Sequence, residues 1–237
     1  MSIPKLRSKI FDGLFAIWTA SFAIGRLVLW AAGSPPGPIR AATRLWVRMA
    51  LVGLKYVVRL RYVECGREFI PHEPCLIICN HQSTWETLAF LVLVPNVAII
   101  AKQELLRIPI VSWYLRKSPM IIIDRETGAR ALKTMLEQSR AALASGRSVL
   151  IFPEGSRKSD VEPIRFRRGV ELLYAKLGTS VLPVAVNSGK FWGPGQPYKR
   201  SGTIVVSYLP LISPGHPPAE FSRKAEAVLE AERTRIG

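Results

Sequence analysis

The feature that most constrains this chain is a recurrence of short apolar runs separated by helical patterns. From about residue 57 such runs fall at 75–79, 97–101, 120–123, 149–152, 181–186 and 203–208, most of them rich in Ile and Val. A run apolar on both faces is how a strand reads when helices cover both sides of its sheet. Val58, Leu60 and Tyr62, alternating with Arg59, Arg61 and Val63, read instead as one half-exposed strand. Helical patterns occupy 84–94, 104–117, 127–145, 166–177 and 218–234. This alternation predicts an α/β fold: a mostly parallel central sheet covered by helices, in one domain over 57–237. No internal repeat or low-complexity linker follows Pro38.

Residues 1–56 read differently. Lys5, Arg7 and Lys9 open the chain, and an apolar stretch over 11–33 is broken only by Asp12 and Arg26. Its uncharged core, 13–25, makes about 20 Å of helix at roughly 1.5 Å per residue, short of the ~20 apolar residues that a full span needs. A cleaved signal peptide would also start this way. Arg26 follows closely, however, and no clean small-residue cleavage site precedes a polar mature start. Ser34-Pro35-Pro36-Gly37-Pro38 then breaks the pattern. Beyond it Arg40, Arg44, Arg48 and Lys55 share a helical arc of about 80°, with Ala42, Leu45, Trp46, Met49 and Tyr56 opposite. That is the pattern of a helix lying in the headgroup plane, and also of a surface helix docked on a core.

Composition decides which setting suits that helix. The chain carries 33 Lys and Arg against 17 Asp and Glu, a net charge of +16, yet 49% of its residues are hydrophobic. A disordered basic tail would lack the apolar residues, whereas a basic and apolar chain suits an anionic membrane surface. The expectation is an N-terminal two-helix membrane anchor over 1–56, re-entrant or interfacial. Basic residues on both flanks keep both ends cytoplasmic. Cys65, Cys75 and Cys79 form no C-x-x-C pair, which fits a reduced setting without structural zinc.

In open α/β sheets ligands sit beyond the carboxyl ends of the strands. Reading there gives Asn80-His81, Lys102, Asp124-Arg125 and Pro153-Glu154-Gly155-Ser156-Arg157, so one histidine, three basic groups and a glycine turn converge on one edge. His81 and Glu86 form H-x-x-x-x-E. A carboxylate at that offset can bond one ring nitrogen, fix the tautomer and stabilise an imidazolium, leaving a general base for a hydroxyl. A helix-capping histidine beside a solvent-exposed glutamate is the plainer alternative. His72 and His216 have Ile77 and Phe221 at that offset, so only His81 qualifies. In the 152–157 segment Gly155 allows close backbone approach, Ser156 offers a hydroxyl and Arg157 a forked cation for phosphate oxygens. Lys102 and Arg125 complete such a clamp, while Glu154 holds Arg157 or the loop. Lys158, Arg165, Arg167 and Arg168 extend the basic patch as a solvated face. G-x-S-x-G, Walker A and G-x-G-x-x-G are absent, and His81 lacks the set of His and Cys neighbours that a metal site needs.

Asn80-His81-Gln82-Ser83-Thr84-Trp85-Glu86 with Phe152-Pro153-Glu154-Gly155-Ser156-Arg157 resembles the glycerophospholipid acyltransferase family, most closely its bacterial 1-acylglycerol-3-phosphate branch. Ile123-Asp124-Arg125 is similar to the family's second block and Leu182-Pro183-Val184 to its fourth, all in family order across about residues 57–210. Glu86 departs from the family's more frequent aspartate by one methylene. The resemblance implies His81 as general base, Glu86 as its orienting acid, and Lys102, Arg125 and Arg157 as the phosphate-binding set. It implies an acyl thioester, on coenzyme A or acyl carrier protein, as co-substrate rather than a bound cofactor. The implied acceptor is lysophosphatidic acid and the product phosphatidic acid, at the cytoplasmic face of a bacterial inner membrane. Backbone amides at the start of the helix after His81 are the expected oxyanion donors. Another lysolipid, such as a lyso-ornithine lipid, is the alternative acceptor. A non-catalytic adaptor or nucleic-acid binder is the alternative class, but no RNP-like or helix-turn-helix pattern accompanies the charge.

Overall fold

The computed structural model describes residues 2–107, 111–118, 120–124 and 127–237. Its centre is one seven-stranded sheet of β1 (Leu60–Cys65), β2 (Leu76–Cys79), β3 (Ala98–Lys102), β4 (Ile121–Ile123), β5 (Val149–Ile151), β6 (Val181–Val186) and β7 (Gly202–Tyr208), in the order β1-β7-β6-β2-β5-β3-β4. Every neighbouring pair is parallel except β6 with β7. Alternate residues of the central strands enter two separate cores. Ile77, Leu150 and Leu182 join Trp85 and Phe90 of α3 (Thr84–Leu93) on one face. Leu76, Ile78 and Val149 meet α5 (Ala129–Ala144), α6 (Arg168–Leu177) and α8 (Pro218–Ile236) on the other, through Met135, Leu173 and Phe221. This double burial is why the central runs show no polar alternation; β1, at the edge, buries only Leu60.

The amino-terminal helices belong to the first of these layers. α1 (Ile3–Ala31) is longer than the apolar stretch predicts, 29 residues or about 44 Å, and by length and composition is able to cross a membrane. Its two sides differ in kind. Phe11, Phe15, Trp18 and Phe22 turn inward, with Trp18 Nε1 donating to Trp46 O (3.2 Å) and Trp46 Nε1 to Thr19 Oγ1 (3.1 Å). Ile3, Leu6, Ile10, Leu14, Ile17, Ile24 and Val28 are 44–71% exposed and share an outward arc of about 80°. Near the start of α1 an ion pair from the almost fully buried Lys199 to Asp12 (2.5 Å) ties the helix to the segment between β6 and β7.

α2 (Pro36–Gly53) carries three stripes where the sequence shows two. Ile39, Thr43, Val47, Ala50 and Leu51 are buried, the basic residues flank them, and Leu45, Met49, Val52 and Tyr56 form an exposed apolar stripe on the remaining side. Both readings of this helix therefore describe part of it: one face docks on the core and another presents apolar side chains outward. The helix continues as a π-helical turn over Leu54–Val58 and stops at Arg59, which takes a left-handed φ of 62°. Val58 thus ends the helix rather than opening the strand. The single helix expected at 104–117 is instead a 3-10 turn over Gln103–Arg107 and α4 (Val111–Lys117). Residues 108–110, between these two elements, lie outside the described residues.

Candidate active site

Asn80 closes β2 and is fully buried. Its Nδ2 donates to Val186 O (2.9 Å) and its Oδ1 accepts from Val186 N (2.8 Å), lashing the end of β2 to the end of β6. The next residue is His81, whose Nδ1 lies 2.9 Å from Glu86 Oε1. Glu86 is 0% exposed, which contradicts the solvent-exposed glutamate of the plainer alternative. A buried carboxylate persists only where donors surround it. Here Oε1 also accepts from Gln82 N (2.8 Å) and Ser83 N (2.6 Å), and Oε2 accepts from Ser188 Oγ (2.7 Å). Ser83 and Glu86 together form the capping box that starts α3. Because the carboxylate can only accept, Nδ1 carries the proton and Nε2 is left as the basic nitrogen.

This cap narrows one expectation. The amides of Gln82 and Ser83 are held by Glu86, and that of Trp85 by Ser83 Oγ (3.1 Å). These three helix-start donors are committed within the protein and are not open to an oxyanion.

The segment after β5 grips His81 from the other side. Glu154 Oε1 accepts from His81 N (2.9 Å), Lys158 N donates to His81 O (2.7 Å), and the Phe152 ring stacks on the imidazole with centroids 4.2 Å apart. Glu154 therefore holds the His81 backbone at the end of β2, a partner other than the two foreseen for it, Arg157 and its own loop. Burial pushes its carboxyl up to about 7, against the opposing pull of the His81 amide. Gly155 takes a φ of 75° in the turn, a conformation costly for other residues. Ser156 is half-buried there. Arg157 is exposed, and its Nη1 donates to Thr84 Oγ1 (3.0 Å), which sets the guanidinium at the first residue of α3.

Of the remaining sequence-derived cations the structure describes Lys102. Lys102 ends β3 at the same sheet edge, exposed, with β5 standing between it and β2. Among the described residues it makes no bond to His81 or Arg157. Arg125 lies outside the described residues. Ser188 was missed, although it stands two residues beyond β6 at the very edge where the other site residues were sought.

An apolar cavity of about 430 Å³ is lined by Thr84, Leu88 and Leu91 of α3 and by residues of α1 and α2. Phe15, Phe22, Trp46, Leu88, Leu91 and Ile99 line it, and Tyr114 OH, donating to Phe22 O (3.1 Å), closes α4 against α1. Thr84, which accepts from Arg157, is thus itself part of the cavity wall.

Comparison with known proteins supplies the family. The acyltransferase family model matches residues 62–187. The 1-acyl-sn-glycerol-3-phosphate acyltransferase of Pseudomonas aeruginosa is 35% identical over 234 residues, spanning 95% of this chain and 90% of its own length. The human 1-acyl-sn-glycerol-3-phosphate acyltransferase beta is 26% identical over 182 residues, 73% of this chain and 66% of its own. The crystal structure of the 1-acyl-sn-glycerophosphate (LPA) acyltransferase PlsC from Thermotoga maritima shares the fold, with a TM-score of 0.81 over 98% of this chain and 97% of that one at 22% identity. Likeness over nearly the whole chain, in step with a family match running from β1 past the end of β6, makes this chain a member of the acyltransferase family.

Proposed function

We propose that this chain moves a fatty acyl group from a thioester, on coenzyme A or acyl carrier protein, to the free hydroxyl of lysophosphatidic acid, giving phosphatidic acid. The observation that carries the reading is the 2.9 Å His81–Glu86 pair at the start of α3, whose first residue, Thr84, both accepts from Arg157 and lines the apolar cavity. His81 Nε2 takes the hydroxyl proton as the oxygen attacks the thioester carbonyl carbon, and Glu86 stabilises the imidazolium through Nδ1–H. The tetrahedral oxyanion collapses, the C–S bond breaks, and the departing thiolate takes the proton from Nε2. Ester and thiol are the products, and His81 is restored. Arg157, with Lys102 and Arg125, binds the acceptor phosphate, and an acyl chain occupies the cavity. The names of the relatives, which are acyltransferases of 1-acylglycerol phosphate, support the acceptor.

The outward aliphatic arcs of α1 and α2 suit one leaflet of a bilayer, and the basic residues beside them suit anionic headgroups. In this reading the two helices form an interfacial anchor on the cytoplasmic face of a bacterial inner membrane. Protease protection of a tag at each end tests that arrangement: a tag sheltered on the far side of the membrane refutes it.

A thiol-release assay with both donors, and with phosphate-bearing and phosphate-free acceptors including a lyso-ornithine lipid, tests the chemistry. His81→Ala abolishes turnover with the fold intact, while Arg157→Ala chiefly raises the acceptor KM, since it removes binding to a non-reacting group. Wild-type turnover by a folded His81→Ala protein refutes the mechanism. Preference for the phosphate-free acceptor refutes the clamp.

A further inference from the structure

Opposite the catalytic edge, at the amino-terminal ends of β3 and β5, a second cationic site is built around Arg147. This residue stands two positions before β5 and is 9% exposed. Its Nη2 donates to Val97 O (3.2 Å), and its Nε is buried without an acceptor. Among the described residues neither Arg147 nor Arg40 has a carboxylate partner. Arg40, near the start of α2, shares the cavity with it, and burial followed by the Arg40 charge pushes the Arg147 guanidinium below its ordinary range. Asn96, Gln138 and Ser145 add polar groups, and Pro36, Met120, Ile121, Ala141 and Ala142 the apolar remainder, to the wall of a cavity of about 520 Å³, a size ordinary for a small-ligand site, where roughly 300–1,000 Å³ is usual. A small adjoining cleft adds Arg44 and reaches Met120, which also lines the apolar cavity.

Burying a guanidinium without a counter-charge is costly, and folds keep such a group where something pairs with it. The carboxyl end of α5 faces this region, but its dipole supplies only about half a negative charge. Its last carbonyls, moreover, already accept from the amides of Ser145, Gly146 and Arg147. Two full positive charges therefore remain to be met. Forked guanidinium donors with neighbouring side-chain amides match a tetrahedral anion of several oxygens better than a single planar carboxylate.

We infer that Arg147 and Arg40 form a binding site for a phosphate group, separate from the catalytic edge, supplied by a phospholipid headgroup or by free phosphate. The site is independent of the acyl-transfer reading, since none of its residues belongs to the proposed catalytic edge.

The test uses the full chain in neutral detergent at fixed ionic strength, with Arg157→Ala as the parent so that the catalytic edge contributes little. Inorganic phosphate and short-chain phosphatidylglycerol are titrated separately by calorimetry. The expected result is saturable binding of at least one probe, weakened tenfold or more by Arg40→Gln and by Arg147→Met. Arg48→Gln, exposed on the same basic side of α2 but outside the cavity, leaves it within twofold. Binding of phosphatidylglycerol alone assigns a headgroup; binding of phosphate as tightly as the lipid assigns a free phosphate; both support the site. Absence of binding, binding that survives Arg40→Gln, or equal weakening by Arg48→Gln overturns it. Because Arg40 is only half-buried, its variant keeps the test decisive even where Arg147→Met fails to fold.

Discussion

Glu86→Gln separates the chemistry from the fold. The amide oxygen can keep the three Oε1 contacts, from His81 Nδ1, Gln82 N and Ser83 N, while the new NH₂ meets Ser188 Oγ, which turns from donor to acceptor. One or two weakened hydrogen bonds at about 1 kcal/mol each lower stability by about 1–2 kcal/mol, a fall in Tm of roughly 2–8 °C for a chain this size. The effect on catalysis is larger. The imidazolium formed at His81 loses a full negative charge held against it. With charge centres about 4 Å apart and an effective dielectric near 20, that interaction is worth about 4 kcal/mol. The corresponding loss in kcat is roughly a thousandfold. The acceptor KM stays near wild type, because Glu86 does not reach the phosphate. Circular dichroism melting and thiol release at saturating substrates read the two effects separately. A variant that melts as expected and keeps kcat within tenfold of wild type refutes the base-and-acid pairing. Glu86→Ala would be a poor substitute: it leaves four donors orphaned in the core at about 1–3 kcal/mol each, so inactivity there reports only damage to the start of α3.

Two further outcomes follow from the geometry. Glu154, its carboxyl raised from 4.5 to about 7 by burial, is favoured in its protonated form by the folded state, so it stabilises most below pH 4.5 and loses that contribution as the pH rises towards 7; Glu154→Gln removes about 3 kcal/mol of this dependence. Chemical denaturation of both proteins across pH 4–8 shows it, and parallel stability profiles contradict it. Leu91→Trp fills the inner end of the apolar cavity; excluding three methylenes at about 0.8 kcal/mol each shifts selectivity towards shorter chains by roughly 50-fold in kcat/KM, and an unchanged chain-length profile in a thiol-release series rules out the cavity as the acyl site.

What the sequence discloses and what it conceals divide along the line between local and long-range structure. The doubly covered sheet is visible because β2, β5 and β6 are apolar at every position. His81 and Glu86 are visible because the helix start brings residues five apart together. Ser188 is concealed because its bond to Glu86 depends on β6 lying next to β2, across 102 residues of sequence. Strand order is hidden for the same reason, so the sequence does not show that β5 stands between the strands that end at Lys102 and His81. α1 hides its organisation for a different reason. Both of its faces are apolar, and only the division into inward aromatic and outward aliphatic side chains tells them apart.

That division bears on how substrate reaches the site. The inward faces of α1 and α2 supply Phe15, Phe22 and Trp46 to the cavity, while Leu88 and Ile99 come from the sheet and its first covering helix. The helices proposed to lie in the membrane are therefore also part of the wall of the space proposed for the acyl chain. They cover the sheet as well, since Phe11, Val47 and Leu54 are nearly fully buried in the same core as Ile77 and Leu182. Such helices are not a detachable tether: removing them would open the cavity and strip one face of the core. A single layer thus joins the outward aliphatic surface to the apolar cavity, and a lipid chain need cross only that layer, with no stretch of water, to bring its headgroup beside His81.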